Sequence, residues 1–432
     1  MVSLMIQTLN ARRRRSRAAR RRERRDARRP SREHRRRAPR DALGARAAHG
    51  DGVWRRASTA DARQTATRDR RRRAMASDAP VTVLDVVDGD LRGGYALDGV
   101  ARAPSATRRG RVRAKSAGRG NGSDDGAFDA IARSRVEDVD AYECVVRAMT
   151  YGDLGWERGS EGMVVACEAS GTSNRTLERT ARMFFEEFNV GGLAFLDKAV
   201  CAMYACGRAS GVAIDVGEQG VECACVVEGA TAHSTTRRND DAGGRAMDRA
   251  LVEAVRKKQG IALDLTTASD IRRKLGKCAA TREEYEALAR GCATVECEQE
   301  TFAMPDGSAL KLTNELYECG EAVMPIVDDV CECVQKCSSE LRRFVLDSVF
   351  VHGVASKVSG LDARLFHELT SSLPPSLTPT MVNIPEYMPE TTWSHAPWTG
   401  AAMAAKTIFA SNQYISKSDY TDNGPPIAHR GR

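Results

Sequence analysis

The 432-residue sequence lacks any long hydrophobic run and any Cys-x-x-Cys pair. Its apolar stretches stay short of the roughly 18 residues that a membrane-spanning helix needs, so we expect no membrane partner. The 13 cysteines are scattered through apolar segments and do not show the spacing of a small disulfide-bonded domain. This distribution indicates buried thiols in a reducing compartment.

The tightest cysteine group consists of Cys331, Cys333 and Cys337, and it resembles a possible metal site. Structural metal sites usually take paired cysteines from a tight turn, whereas this group follows a helical pattern. We therefore favour buried structural thiols at these positions.

Lysine is absent from residues 1–74, which hold 26 arginines against 7 acidic residues and so carry a net charge of +19. The rest of the chain carries −11, because the net charge of the whole is +8. Almost no large apolar side chain follows Met5 in this segment, so too little surface can be buried to offset chain entropy. The composition predicts a disordered tail.

Three interpretations of this tail remain open. It is a nuclear-import tail that also contacts DNA, an arginine-rich organelle presequence, or an extension that is not part of the working protein. A strand pattern begins soon after Met75, which slightly favours the third interpretation. The folded part is then predicted over residues 75–432.

The stretch from Ala199 to Gly220 organises the folded part. It predicts a helix to Cys206, a tight turn at Gly207, and a buried strand that ends in Asp215 and a loop with Gly217. Glycine allows backbone N–H groups to approach a phosphate, and a carboxylate can hold a metal through water. The stretch alone is a weak indication of a phosphate site.

A second unit of the same kind lies near residue 85. Val81–Val87 predicts a buried strand that carries Asp85, and Asp88-Gly89 supplies the turn after it. Two strand–acid–glycine units about 130 residues apart predict a duplicated fold with a ligand between the halves.

The remaining pattern predicts further strands and helices, and it places a flexible loop over 114–135. Strands are predicted over 163–167, 221–227 and 349–353, and helices over 136–151, 176–188, 247–257, 268–279, 282–293, 321–346, 361–371 and 401–409.

Four segments resemble the actin superfamily. They are Met183-Phe-Phe-Glu-Glu-Phe-Asn189, Tyr204-Ala-Cys-Gly-Arg208, Pro305-Asp-Gly307 and the segment from Ile415 to Arg430. The resemblance runs from about Val81 to the end of the chain. Within the superfamily, Gly155-Trp156-Glu157 and Pro385–Glu390 are most similar to a plant class of nuclear, chromatin-associated actin-related proteins.

The resemblance implies an α/β, actin-like fold, which heat-shock chaperones and sugar kinases share. It consists of two lobes with mixed five-stranded sheets and an ATP with a divalent cation between them. The first lobe would hold 75–113, 136–206 and 380–432, and the second 207–379. The short, flexible 114–135 would leave the small second subdomain largely missing, so filament formation is not expected.

The resemblance also implies which residues line the nucleotide site. Asp85 and Asp215 match the acids that hold the cation through water, Arg92 matches the lysine of the first phosphate loop, and Gly217 and Gly353 match loop glycines. The other positions depart from the family pattern. Asp88, next to Gly89, replaces a phosphate-binding hydroxyl, and Lys198 replaces the glutamine that orients water. Glu222 replaces a histidine of the second loop. Arg272-Arg273 replace a Lys-Glu pair that contacts the nucleoside.

The size of the electrostatic repulsion decides how these departures are interpreted. A carboxylate about 4 Å from a phosphate charge is opposed by ~4 kcal/mol at an effective dielectric of about 20, or roughly a thousandfold in affinity. Asp88 alone therefore predicts weak or no binding of ATP with magnesium. Lys198 has no acceptor to align a water, which predicts a lost ATPase. Its ammonium is as well placed to pair with Asp88 or Asp215 as to contact a ligand.

The favoured function is a non-catalytic structural subunit of a chromatin-remodelling complex in the nucleus. A groove near Tyr204, Gly207 and Phe409, between helices of small residues, would bind a helix of the motor subunit. Other actin-related proteins would be further partners. The alternatives are an ATP-binding actin-like switch and a cytoskeletal actin-related protein in the cytoplasm. A sugar kinase is disfavoured because the C-terminal segment has no place there.

Overall fold

The structure is a computed structural model that describes residues 80–96, 103–113, 127–290 and 297–429. The predicted disordered tail and the first part of the predicted flexible loop lie outside these ranges. Within them, no helix is both long and apolar enough to cross a membrane.

The first lobe is built on a six-stranded mixed sheet in the order β17-β9-β8-β1-β2-β3. Its strands are β1 Val81–Val87, β2 Asp90–Tyr95, β3 Ala106–Arg109, β8 Met163–Glu168, β9 Gly192–Asp197 and β17 Ile415–Ser416. β1, β8 and β9 run parallel. Mostly apolar side chains are buried on both faces of β1 and β8, as expected for central strands covered on two sides. The two-residue β17 adds one strand to the predicted five.

Helices cover this sheet and include two with π-helical final turns. They are α1 Val139–Arg147 with Ala148–Asp153, α2 Asn174–Arg182 with Met183–Glu187, α3 Lys198–Ala205, α11 Ala396–Ala410 and α12 Lys417–Asn423, with 3-10 turns at Glu390–His395 and Pro425–His429. α3 begins at its N-cap Asp197, whose carboxylate accepts from the N–H of Ala199 at 3.0 Å. α3 and α11 pack so closely that a side chain at Gly400 would meet the carbonyl of Cys201.

The second lobe holds a five-stranded mixed sheet in the order β12-β11-β10-β16, with β13 also paired to β11. Its strands are β10 Gly211–Val216, β11 Val221–Val227, β12 Ala230–Thr231, β13 Arg237–Asn239 and β16 Val349–His352. Its helices are α4 Gly244–Gln259, α5 Leu265–Leu275, α6 Arg282–Ala289, α7 Glu318–Glu321, α8 Ile326–Lys336, α9 Ser339–Leu346 and α10 Leu361–Ser372, with a hairpin of β14 Glu300–Ala303 and β15 Ala309–Leu312 and 3-10 turns at His233–Thr235 and Asn314–Tyr317. The segment 321–346, over which helices are predicted, contains the last residue of α7 and all of α8 and α9, which are separated at Pro325 and at Cys337–Ser338.

Part of the predicted flexible loop is structured. The strands β4 Arg111–Arg113 and β5 Ala127–Asp129 pair in one two-stranded sheet, and β6 Ile131–Ala132 and β7 Arg135–Val136 form a small hairpin. The prediction of a flexible loop is therefore wrong for residues 127–135. Ile131 explains the difference, since its side chain is buried in the core of the first lobe, against Gly110.

The two sheets repeat one arrangement, as the duplicated sequence pattern predicts. In each lobe a central strand carries the acid, runs antiparallel to the next strand and runs parallel to a third. Asp85 lies opposite Arg92 in the first hairpin, and Asp215 lies opposite Glu222 in the second.

Candidate functional site

Asp85 lies on β1, the strand between β2 and β8 in the first sheet. It is fully buried, and Oδ1 is 3.3 Å from Nζ of Lys198, the first residue of α3. The same ammonium donates a hydrogen bond to the carbonyl of Val86. Burial acts to lower the pKa of Lys198, but the charges of Asp85 and Asp215 outweigh it and hold the pKa above its usual value. The ion-pair partner of Lys198 is thus Asp85, and not Asp88 or Asp215, the two acids considered from the sequence beside a ligand contact.

Asp88 connects the two hairpin turns. Its Oδ1 accepts a hydrogen bond from the backbone N–H of Gln219 at 3.1 Å, in the loop that follows Asp215. The approach is close enough that a side chain at Gly217 would lie 2.7 Å from this oxygen. Burial raises the pKa of Asp88, while the N–H groups of Glu218 and Gln219 act against the rise. The first loop therefore offers a carboxylate to a backbone amide of the second loop.

Asp215 has a different neighbour from Asp85. His352 lies beside it on β16, with Nδ1 3.8 Å from Oδ1 of Asp215. Burial, together with the charge of Lys198, lowers the pKa of His352 to about 3, so this imidazole is neutral near pH 7. Burial also raises the pKa of Asp215. Gly353 follows at φ 103, where any side chain would collide with the Asp215 carboxylate.

A small cavity lies between these groups. Lys198, Asp215, Glu222 and His352 line it together with the methyl groups of three alanines. Its free space admits about one water molecule.

Arg92 and Gly89 lie on the first hairpin close to this cavity. Arg92 donates to the carbonyl of Ser394 at 2.5 Å, so its guanidinium is held within the first lobe. A side chain on Gly89 would stand 3.5 Å from the amide nitrogen of the Gln219 side chain. The structure thus brings the predicted residues of the first loop, α3 and the second loop together.

Arg272 and Arg273 bind the second loop through Glu218. Arg272 is 2% exposed, and its guanidinium contacts Asp248 and Glu218, each at 2.7 Å. Arg273 reaches the other oxygen of Glu218 at 3.0 Å from a more exposed position. These two arginines are therefore engaged with acids of their own lobe.

The residues that sequence reasoning missed are Glu218, Gln219 and Asp248. None belongs to a motif, and their part in the site depends on contacts between distant segments. Only Glu218 carried a usable sign, since it is an acid within three residues of Asp215 in a predicted phosphate loop.

The predicted partner groove lies at the far end of α3. Tyr204 and Phe409 are both buried, and the ring of Tyr414 packs 4.8 Å from that of Phe409. Gly207 turns the chain at φ 74, and a side chain built there would meet no atom within 4 Å. The open surface at this place is thus centred on Gly207.

The donor set fits a bound divalent cation poorly. The carboxylate of Asp85 accepts no hydrogen bond from the described residues, but it is already paired with the ammonium of Lys198 at 3.3 Å, whose positive charge would repel a cation. Among the described residues, no group of three or more His, Cys, Asp or Glu side chains is arranged to hold a metal. The cysteines of α8 therefore belong to no such group either. Cys333 lies in the core, with its sulfur 3.3 Å from that of Cys225.

Two lobes with repeated acid-bearing hairpins and a cleft between them define a protein of the actin fold. The family described as Actin matches residues 76–288 and 264–432, and the chain belongs to this family. It is 30% identical to Actin-related protein 7 of Arabidopsis thaliana over 318 residues, which cover 71% of this chain and 85% of that protein. It is equally similar to Actin-related protein 7 of Oryza sativa subsp. indica and subsp. japonica, at 30% over 311 residues covering 69% and 84%.

Proposed function

We propose that this actin-related protein is a non-catalytic structural subunit of a nuclear chromatin-remodelling complex and binds a helix of the motor subunit. The observation that carries the non-catalytic part is the hydrogen bond from the N–H of Gln219 to Asp88. In the second loop, which the sequence pattern predicts to bind phosphate, this backbone N–H already donates to a carboxylate of the same chain.

The charges around Asp88 support this part of the proposal. A phosphate about 4 Å from the Asp88 carboxylate would be opposed by ~4 kcal/mol at an effective dielectric of about 20. Lys198 and Arg92 offer little relief, because Lys198 contacts Asp85 and Val86 and Arg92 contacts Ser394. We therefore propose that ATP with magnesium binds weakly or not at all, and that the ATPase is lost.

Equilibrium binding of labelled ATP with magnesium tests this part. We expect no saturation at micromolar ATP for the natural chain and measurable binding for Asp88→Ser, which removes the charge and restores a hydroxyl. The variant Asp90→Ser is the matched control, since it removes a half-buried acid from the same hairpin without touching the second loop. Micromolar affinity in the natural chain, with turnover, would contradict the proposal.

The surface at Gly207 supports the partner part. A helix docks where backbones can approach closely, and Gly207 leaves open space beside the packed pair α3 and α11. Tyr204 and Phe409, one on each of these helices, are both buried. We propose that the motor-subunit helix lies here, that other actin-related proteins are neighbours in the complex, and that the arginine-rich residues 1–74 contact DNA where they are present.

Calorimetry with remodeller motor helices tests the groove. Gly207→Arg should abolish binding, because the added side chain projects from this surface. Gly307→Arg is the control, since Gly307 also has a positive φ and open space around it, but lies in the β14–β15 turn. Equal binding by both variants would exclude the Gly207 surface.

One observation favours the second candidate, an ATP-binding actin-like switch. Asp85 and Asp215 hold equivalent positions on the two central strands, as a shared cation site would require. The ATP binding measurement separates the two candidates. Imaging of a fluorescent fusion tests the proposed nuclear location against the cytoplasm.

A further inference from the structure

The tip of the β6–β7 hairpin is held in an uncommon conformation. Arg133 and Ser134 have φ values of 51 and 59, a region that residues other than glycine rarely adopt. Two hydrogen bonds hold the tip on the first loop. The N–H of Ser134 donates to the carbonyl of Asp88 at 2.8 Å, and the N–H of Asp88 donates to Oγ of Ser134 at 2.8 Å.

The same tip reaches the second lobe. The N–H of Arg133 donates to Oε1 of Gln219 at 2.9 Å, and its guanidinium lies 3.2 Å from Asp240. Two residues on, Arg135 lies 3.2 Å from Oε2 of Glu222. Strained residues in this place are therefore stabilised by contacts to both lobes.

Glu222 is the acceptor on which these contacts converge. Its side chain is 13% exposed, and its second oxygen accepts from the N–H of Ser170, in the loop after β8, at 3.2 Å. Arg135 also donates to the carbonyl of Ser170 at 3.3 Å, and Arg238 of the second lobe lies 3.4 Å from Glu222. A buried acid of the second lobe is thus bound by two separate segments of the first.

We propose that Arg133, Arg135, Gln219, Glu222 and Asp240 form an interlobe clasp that keeps the cleft closed without a bound ligand. A partly buried ion pair with hydrogen bonds at both ends contributes more than an exposed one. These contacts join the β6–β7 hairpin and the loop after β8 to the second lobe, so opening of the lobes requires the Arg135–Glu222 pair to separate. It concerns the chain alone and does not depend on the proposed partner.

Hydrogen–deuterium exchange of the purified full chain tests the clasp. We expect Arg135→Gln and Glu222→Gln each to accelerate exchange about tenfold in peptides covering 131–136 and 217–222, because each removes a charge-assisted bond. Peptides from the core of β1 and β10 should keep their rates. The double variant should accelerate exchange by less than the product of the two single effects, because both single variants remove the Arg135–Glu222 contact.

Arg111→Gln is the matched control, since Arg111 pairs with Asp129 within the first lobe and both are exposed. It should leave all of these peptides unchanged. The clasp would be overturned if exchange were unchanged in the two single variants. It would also be overturned if the accelerations were additive in the double variant, or if the core strands accelerated equally. Because no partner is present, failure here is distinct from failure of the helix-binding proposal.

Discussion

Asp85 and Asp215 occupy equivalent positions, one on each central strand, but their neighbours differ. Asp85 is fully buried beside the ammonium of Lys198, whereas Asp215 lies beside the neutral imidazole of His352. The repeated backbone therefore holds one acid with a permanent counter-ion and one without. The fold therefore determines where the two acids lie, while single side chains around them decide what each acid can bind.

Removal of the counter-ion of Asp85 should have the largest effect. Lys198→Met keeps the length of the side chain but leaves a buried carboxylate unpaired, which costs about 3–5 kcal/mol. The free energy of unfolding by urea measures it. Asp85→Asn combined with Lys198→Met should recover most of the loss, because no unpaired charge remains. A loss of unfolding free energy below about 1 kcal/mol in Lys198→Met would contradict the expected contribution of the Asp85–Lys198 pair.

The second loop has a buried cation of its own, but at Glu218 rather than at Asp215. Arg272→Met leaves Glu218 and Asp248 without their buried partner and should cost about 3 kcal/mol of unfolding free energy. Arg273→Met is the control and should cost under about 1 kcal/mol, because Arg273 is more than half exposed. Similar losses in the two variants would remove the distinction between them.

The imidazole beside Asp215 should make the second lobe acid-sensitive. The pKa of His352 is about 3 in the fold and about 6.5 unfolded, so its contribution is complete above pH 6.5 and is lost progressively as the pH falls towards 3. Between pH 7 and 5 this amounts to about 2 kcal/mol. Between pH 7 and 5, the unfolding free energy of His352→Gln in urea should therefore fall by about 2 kcal/mol less than that of the natural chain. Parallel pH profiles for both proteins would contradict it.

The sequence predicted the scaffold better than the contacts. Alternating strand, acid and glycine patterns identified both hairpins and α3, since these depend on local residues. The partner of Lys198 was not predictable, because it depends on β1 and α3 meeting across another strand. Residues 127–135 were misjudged because their polarity hides one buried anchor, Ile131. Arg272 and Arg273 are adjacent in the sequence, but Arg272 is buried and Arg273 is exposed. Only the helical register, in which Arg272 follows buried Ile271, could have indicated which of the two is buried.

Neutralising each acid in turn should give the smallest effect and the sharpest contrast. Asp215→Asn should change the unfolding free energy by less than about 1 kcal/mol, because burial already disfavours the charge of Asp215 and no lysine or arginine is held in direct contact with it within the described ranges. Asp85→Asn should cost several times more, since it leaves the buried ammonium of Lys198 without its counter-ion. Urea denaturation of both variants at pH 7 compares them directly. Equal losses would mean that Lys198 serves both acids alike, and the two halves of the cleft would then share one cation.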